Sequence, residues 1–251
     1  MTDKLNTFHL YTDLAWLWPL WGDPATEYAR YCNHVVRLIR QYAQRPVESL
    51  LNISCGGGKN IFNLKKHFRV LGLDLSPTML RLAAQLNPEC EFVAGDMRNF
   101  SLARSFDSIL MDDGISYMSN RPDLSSTLQT AFHHLEPGGV LVVTPDVMTE
   151  NFCQNQTVVT PALVTAKPAN IDVVFVENIY DPDPTDEHYE TTIVYLIREN
   201  GLLRIETDRF TLGLFSIDTW KGILSETGFI LHQEKYTDGD NEYISFACTK
   251  P

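Results

Sequence analysis

The sequence predicts an α/β protein with a doubly wound, parallel sheet. Short apolar strands alternate with helical stretches between residues 47 and 144. Three consecutive glycines follow the first strand, and turn or cap signals separate the later elements. Strands that read as near-continuous apolar runs imply a sheet covered on both faces.

The elements follow in order. Residues 25–45 read as an amphipathic helix, with Tyr28, Tyr31, Val35, Leu38, Ile39 and Tyr42 near helical spacing and Pro46 after it. Residues 47–53 form a first strand ending in Ser54-Cys55-Gly56-Gly57-Gly58, and residues 60–67 a helix. Residues 70–75 are a second strand with Asp74 near its end. Ser76 and Pro77 open the next helix as N-cap and first helical residue. Residues 91–94 and 106–111 are the third and fourth strands, ending in Gly95-Asp96 and Asp112-Asp113-Gly114. A helix over 123–134, a turn at Glu136-Pro137-Gly138-Gly139 and a fifth strand over 140–144 complete the alternation.

Residues 151–213 break that rhythm with β-like runs at 157–165, 171–180, 191–197 and 202–210. Asn200-Gly201 marks a two-residue hairpin turn, because both residues tolerate positive φ. Such a turn sets Leu196 opposite Ile205 and Val194 opposite Thr207, with Tyr195 and Ile193 opposite Glu206 and Asp208. One face is then more apolar than the other, as in a lid or an interface sheet. A helix over 216–227 closed by Gly228 and a hairpin of 230–236 with 243–249 end the chain. The predicted domains are an N-terminal helical lid (1–45), a core (46–150 with 214–251) and an inserted β-rich cap (151–213) that could pair subunits.

Composition narrows the function. The chain has 251 residues, and 20 basic against 32 acidic side chains give a formal charge of −12. That field repels phosphate backbones, and no basic groove opposes it, so no nucleic-acid partner is expected. Five cysteines lack any C-x-x-C pair, and seven histidines lack ligand spacing. Neither a disulfide framework nor a metal site is expected. No apolar run approaches the roughly 20 residues of a membrane helix. The start, Met1-Thr2-Asp3-Lys4, lacks a secretory signal, and the expectation is a soluble cytoplasmic protein.

The glycine-rich turn aims main-chain N–H groups and a helix N-terminus at the sheet edge, where ligands of open α/β sheets bind. It is not a P-loop, since Gly58-Lys59 is followed by Asn60. It is not a dinucleotide fingerprint either, since Ile61 holds the last glycine position. A nicotinamide oxidoreductase is correspondingly disfavoured. Asp74, 16 residues past Gly58, can accept both hydroxyls of a ribose. Asp96-Met97 offers a carboxylate and an apolar side chain after the third strand, and residues 112–117 follow the fourth.

With those residues in that order, the chain resembles the class I S-adenosylmethionine-dependent methyltransferases. The matching stretches are 50–58, 72–80, 92–97, 106–110 and 135–140. The resemblance implies a seven-stranded, mostly parallel, Rossmann-like sheet, with S-adenosylmethionine as cofactor. It implies that Ser54, Cys55, Gly56 and Gly58 line the methionine part. Asp74 would take the ribose beside Leu75 and Met79, Asp96 the adenine amino group, and Met97 the ring face, with Asp112 nearby. The sequence departs from the family at Asn52, usually acidic, and at Ser54, usually glycine. The insert and the segment Phe8-His9-Leu10-Tyr11-Thr12-Asp13-Leu14-Ala15 resemble small-molecule N-methyltransferases acting on amino sugars. In that likeness Tyr11 covers the reacting methyl, and Trp16, Trp18 and Trp21 form an aromatic wall.

The expected reaction is methyl transfer to a small molecule at an amine nitrogen. O-methylation and non-catalytic cofactor binding are the alternatives. A hydroxyl acceptor would need a base, for which Tyr117, His188 and Asp113 are candidates; no catalytic residue is fixed beyond the candidates Tyr11, Tyr117 and His188. The loop Asp181-Pro182-Asp183-Pro184-Thr185-Asp186-Glu187-His188 reads as a solvated charge run that could also attract a cationic amine.

Overall fold

The computed structural model describes residues 8–163, 168–239 and 241–251. The expected strand end at 164–165, the turn residue Asp240 and the first seven residues lie outside the described residues.

Helix α1 (Glu27–Tyr42) precedes strand β1 (Ser49–Ile53), α2 (Lys59–Leu64), β2 (Arg69–Asp74), α3 (Pro77–Leu86), β3 (Glu91–Ala94) and β4 (Phe106–Met111). Then come α4 (Arg121–His134), β5 (Leu135–Val143), and the insert strands β6 (Thr157–Pro161), β7 (Ile171–Tyr180), β8 (His188–Glu199) and β9 (Leu202–Gly213). Helix α5 (Ile217–Thr227), β10 (Ile230–Asp238) and β11 (Asn241–Thr249) end the chain. The main sheet has the order β10-β11-β5-β4-β1-β2-β3, parallel except for β11. Strand order reverses between β1 and β4, which opens a crevice at their carboxyl ends. β1 lies inside the sheet between β4 and β2, with Leu50, Leu51 and Ile53 fully buried, and that is why its sequence does not alternate.

Local chemistry sets the helix ends. The Met79 N–H donates to Ser76 Oγ at 3.2 Å and Pro77 opens α3, as expected. The Asp123 N–H donates to Asn120 Oδ1 at 2.9 Å, so α4 starts two residues before the sequence reading. α5 stops at Gly228, whose φ of 105° is left-handed. The turn expected at residues 136–139 is instead the first part of β5. The Gly138 N–H donates to Lys250 O at 2.8 Å and the Lys250 N–H to Gly139 O at 3.0 Å, so the chain end pairs with this segment and keeps it extended.

The insert forms a separate antiparallel sheet, β6-β7-β8-β9. Its last hairpin turns at Asn200 (φ 51°) and Gly201 (φ 82°), in the register expected, with Leu196 opposite Ile205 and Ile193 opposite Asp208. The buried face is the one that reads as less apolar: Ile193, Tyr195, Ile197, Asp208 and Phe210 point inward, while Ile205 is 56% exposed. Asp208 explains the choice. Its carboxylate accepts the N–H groups of His9 (2.8 Å) and Leu10 (2.9 Å) and the Tyr195 hydroxyl (2.9 Å). Around it, Leu10, Leu14, Leu17 and Leu20 pack on Phe175, Tyr195, Ile197 and Phe210. Each such buried leucine contributes roughly 1.5–3 kcal/mol. The two short 3-10 segments His9–Tyr11 and Ala15–Leu20 therefore share a core with the cap, whereas α1 packs on the main sheet through Val35, Val36 and Ile39.

Candidate active site

A cavity of about 940 Å³ opens at the carboxyl ends of β1, β2 and β4. That is the upper end of the roughly 300–1,000 Å³ usual for small-ligand sites. Its floor is the Ser54–Gly56 turn and the ends of β2 to β5, and its roof is the N-terminal segment with the inner face of the cap.

The turn after β1 is built for close approach. Ser54 adopts φ 59° and Gly56 φ 50°. A left-handed serine costs roughly 1–2 kcal/mol, and the surroundings hold it there: the Cys55 N–H donates to Leu73 O at 3.0 Å, and the Gly56 N–H to Asp74 Oδ2 at 2.7 Å. Gly57 is required by a side chain of this same protein: a Cβ there would stand 2.4 Å from Cδ1 of the Trp18 indole. Trp18 is sandwiched between this turn and Lys59, whose Nζ sits 5.1 Å over the ring and donates to the Trp21 carbonyl. Burial lowers the Lys59 amine to about 8.

Asp74 lines the cavity at the end of β2. Its Oδ1 accepts the Ser76 N–H at 2.8 Å while Oδ2 holds Gly56, so one carboxylate joins the glycine turn to the start of α3. Burial raises its pKa, and the backbone N–H donors oppose that rise. Acceptor capacity remains on the carboxylate for a ribose hydroxyl. Leu75, Asp96, Met97, Ser54, Cys55 and Gly56 also line the cavity. Asp96 is held by Arg98, whose Nε approaches Oδ1 at 3.0 Å and Nη2 approaches Oδ2 at 2.5 Å. That guanidinium keeps the Asp96 carboxyl below its ordinary range. Asp112 accepts from the Asn60 amide, and burial with Asp74 nearby pushes its pKa to about 7.

The structure does not bring every expected residue to the cavity. Gly58 caps α2 with φ 79° and packs against Ala83 and Asn87, and Met79 is wholly buried in the core; neither is in the lining. Asn52 is fully buried beneath the turn and does not reach the cavity, so its departure from an acidic residue leaves the lining unchanged. Trp18 and Trp21 face the cavity; Trp16 does not and is 37% exposed. His188 lies outside the lining, with Nδ1 3.3 Å from Asp186.

Tyr11 and Tyr117 do meet. Their hydroxyls are 2.6 Å apart, their rings lie edge to face at 6.1 Å, and Phe210 of the cap closes the wall. Burial pushes both phenols well above their ordinary range, so neither forms a phenolate base at neutral pH. Of the base candidates, Asp113 remains: its side chain lines the cavity, and burial with Asp112, Asp146 and Glu177 nearby raises its pKa.

Lys59, Asn60, Asp146 and Glu177 also face the cavity and are not among the residues singled out from sequence. Lys59 and Asn60 directly follow the glycine turn, a local signal. Glu177 carried a fainter one, an acid continuing the inward row of Val173 and Phe175. Among the described residues no group of three or more His, Cys, Asp or Glu side chains is arranged to hold a metal ion. No helix among them is long and apolar enough to cross a membrane.

Comparison with known proteins agrees with this architecture. Residues 50–139 match a family described as a methyltransferase domain. Over 128 residues the chain is 35% identical to the dTDP-3-amino-3,6-dideoxy-alpha-D-glucopyranose N,N-dimethyltransferase of Streptomyces fradiae, covering 50% of each protein. Over 204 residues it is 27% identical to the dTDP-4-amino-2,3,4,6-tetradeoxy-D-glucose N,N-dimethyltransferase of Saccharopolyspora spinosa, covering 80% of this chain and 79% of that one. The match thus spans half the length of the first relative and about four-fifths of the second. The structure of CalS10 with S-adenosylmethionine bound, an amino pentose methyltransferase from Micromonospora echinaspora, superposes with a TM-score of 0.76 at 21% identity, over 90% of this chain and 92% of that one.

Proposed function

We propose that this chain, whose core is that of the class I S-adenosylmethionine-dependent methyltransferases with S-adenosylmethionine as cofactor, moves a methyl group to an amine nitrogen of a small molecule. One observation carries the reading. Asp74, clamping the glycine turn to α3, lines the same cavity as the Tyr11–Tyr117 wall, so a cofactor grip and a reaction chamber are continuous.

In this reading Ser54, Cys55, Gly56 and Asp112 hold the methionine part, Asp74 and Leu75 the ribose, and Asp96 and Met97 the adenine. Bound there, the cofactor supplies an already activated sulfonium methyl. The chain then has to align the acceptor nitrogen in line with it and exclude water. Such positioning can supply on the order of 7–11 kcal/mol. The Tyr11–Tyr117 pair and the cap roof do that work. An amine enters as its ammonium form and must lose a proton before it attacks, and the Asp113 carboxylate faces the cavity to accept it.

We assign the lid to residues 1–45, the cofactor core to 46–150 with 214–251, and the cap to 151–213. We place the enzyme in the reducing cytoplasm, a setting that its five free cysteines suit. The outward face of the cap sheet carries Val159, Val174, Val176, Val194, Leu196 and Ile205 in adjoining cross-strand rows, and a second copy of the chain is its proposed partner. An isologous contact needs only that this one face be complementary to itself.

Incubation of the purified chain with methyl-labelled cofactor and matched panels of amines and alcohols tests the reaction. Label is expected on nitrogen; label on oxygen alone, or none on any acceptor while the cofactor binds, overturns it.

A further inference from the structure

The cavity runs on past the cofactor residues to a wall built by α1 and the terminal hairpin. Strand β11 pairs with β5 only from Phe246 to Thr249, whereas its pairing with β10 continues to Asn241 opposite Asp238. The end of the hairpin therefore projects beyond the carboxyl end of β5, over the crevice. One face of it carries Tyr236 and Tyr243, directly opposite each other in the register. The first turns of α1 bring Tyr28 and Tyr31, three residues apart and so neighbours on one helix face. All four tyrosines line the cavity and are partly buried, neither core nor open surface. At the rim an ion pair, Arg30 Nη1 to Asp238 Oδ1 at 3.0 Å, joins the hairpin end to α1.

The polar groups of this wall are occupied within the protein. The Tyr31 hydroxyl is 2.5 Å from Thr144 Oγ1, just after β5. Ser245 Oγ is 3.0 Å from Nε2 of the buried His34. Burial, with Arg37 adjacent, lowers His34 to about 4, so it is neutral at pH 7 and adds no charge. The Tyr236 hydroxyl is itself buried, so that residue shows the cavity ring carbon and not its oxygen. Ring contacts brace the tyrosines. Tyr31 meets Tyr236 edge to face (6.0 Å, 67°), Tyr236 lies closer to parallel with Tyr243 (6.2 Å, 30°), and His34 backs Tyr236 at 5.0 Å. Tyr28 is backed by Lys59, whose Nζ lies 5.5 Å from its ring centroid. The wall thus offers a ligand flat ring surface in two orientations. An aromatic ring placed there finds offset-stacked and edge-to-face partners at once.

We infer that the acceptor carries an aromatic ring joined to its amine-bearing unit, and that Tyr28, Tyr31, Tyr236 and Tyr243 form the subsite for that ring. The inference rests on the methyl-transfer reading. The Tyr11–Tyr117 pair and Asp113 line the same cavity, so a ring held on the tyrosine wall leaves the rest of the molecule in the reaction chamber. The ring has two sources, the base of a nucleotide-linked sugar or an aryl group. Stacking accepts either, because each presents a π face.

Calorimetry on the full chain tests this. The thioether product S-adenosylhomocysteine is titrated first; then, with it saturating, para-nitrophenyl glucosaminide, methyl glucosaminide and thymidine diphosphate are titrated in turn. The first two share one amino sugar and differ in the ring. Para-nitrophenyl glucosaminide or thymidine diphosphate is expected to bind about tenfold or more tightly than methyl glucosaminide. The tighter of the two identifies the source of the ring. Tyr236→Leu and Tyr243→Leu are each expected to weaken that ligand about fivefold or more, whereas Tyr236→Phe and Tyr243→Phe, which keep the ring, stay within about twofold of the native chain. S-adenosylhomocysteine affinity within about twofold of native in all four variants separates loss of the subsite from loss of structure. Methyl glucosaminide binding as tightly as both ring ligands, no binding of any of the three, or leucine variants indistinguishable from the native chain overturns the inference while leaving the cofactor reading intact. Absence of S-adenosylhomocysteine binding overturns both.

Discussion

The two halves of the cavity are made in different ways. The cofactor half is assembled from strand ends that neighbour one another in the sheet: Ser54, Gly56, Asp74 and Asp96 each sit within three residues of a strand terminus. Its carboxylates are satisfied, Asp74 by two backbone N–H groups and Asp96 by Arg98. The acceptor half is assembled across long chain separations, with a cap strand facing two core loops and an N-terminal roof held by Asp208. Among the described residues the Asp113, Asp146 and Glu177 side chains there accept no hydrogen bond, in contrast to Asp208. The difference teaches that the first half is shaped by local turn and strand chemistry, whereas the second depends on contacts between distant parts of the chain.

The largest test of that contrast lies in the roof. Asp208→Ala strands two backbone N–H groups and the Tyr195 hydroxyl in a buried setting, at about 1 kcal/mol each. A loss of about 3 kcal/mol in unfolding free energy is expected from urea titration. An unchanged midpoint would mean that the leucine contacts alone hold the cap to the N-terminal segment. Next comes the cofactor half. Asp74→Ala should weaken S-adenosylhomocysteine binding by about 2 kcal/mol, roughly 30-fold, by calorimetry. Asp74→Asn, which keeps an acceptor oxygen, should recover part of it. If both variants bind like the native chain, the clamp between the turn and α3 is not the cofactor grip. The smallest energetic effect is expected on the outer face of the cap. Ile205→Glu, at a position already 56% exposed, should change stability by less than about 0.5 kcal/mol. It should nevertheless shift the sedimenting species from dimer to monomer. A native chain that sediments as a monomer at all concentrations removes the proposed partner.

Legibility from sequence follows the same division. The strand–turn–helix alternation, the Ser76-Pro77 start of α3 and the Asn200-Gly201 hairpin with its register were all readable, because turn and cap chemistry act between residues a few positions apart. Gly58 and Met79 lie outside the cavity lining for a related reason. The family pattern marks the stretch that surrounds a ligand, and only packing decides that Gly58 turns to Ala83 and Asn87 and that Met79 goes into the core. The segment at residues 136–139 reads as a turn by composition, and a strand partner more than a hundred residues away overrides it.

By itself the sequence determined the doubly wound core, the glycine turn and the carboxylate at the end of β2, since hydrophobic period and turn residues encode these locally. Only the tertiary structure decided which face of the cap is buried, that Trp18 fills the space over Gly57, and that Asp113, Asp146 and Glu177 share one chamber. A side chain's face is chosen by what packs against it, and here the deciding partners, Asp208 with His9 and Leu10, lie nearly two hundred residues apart.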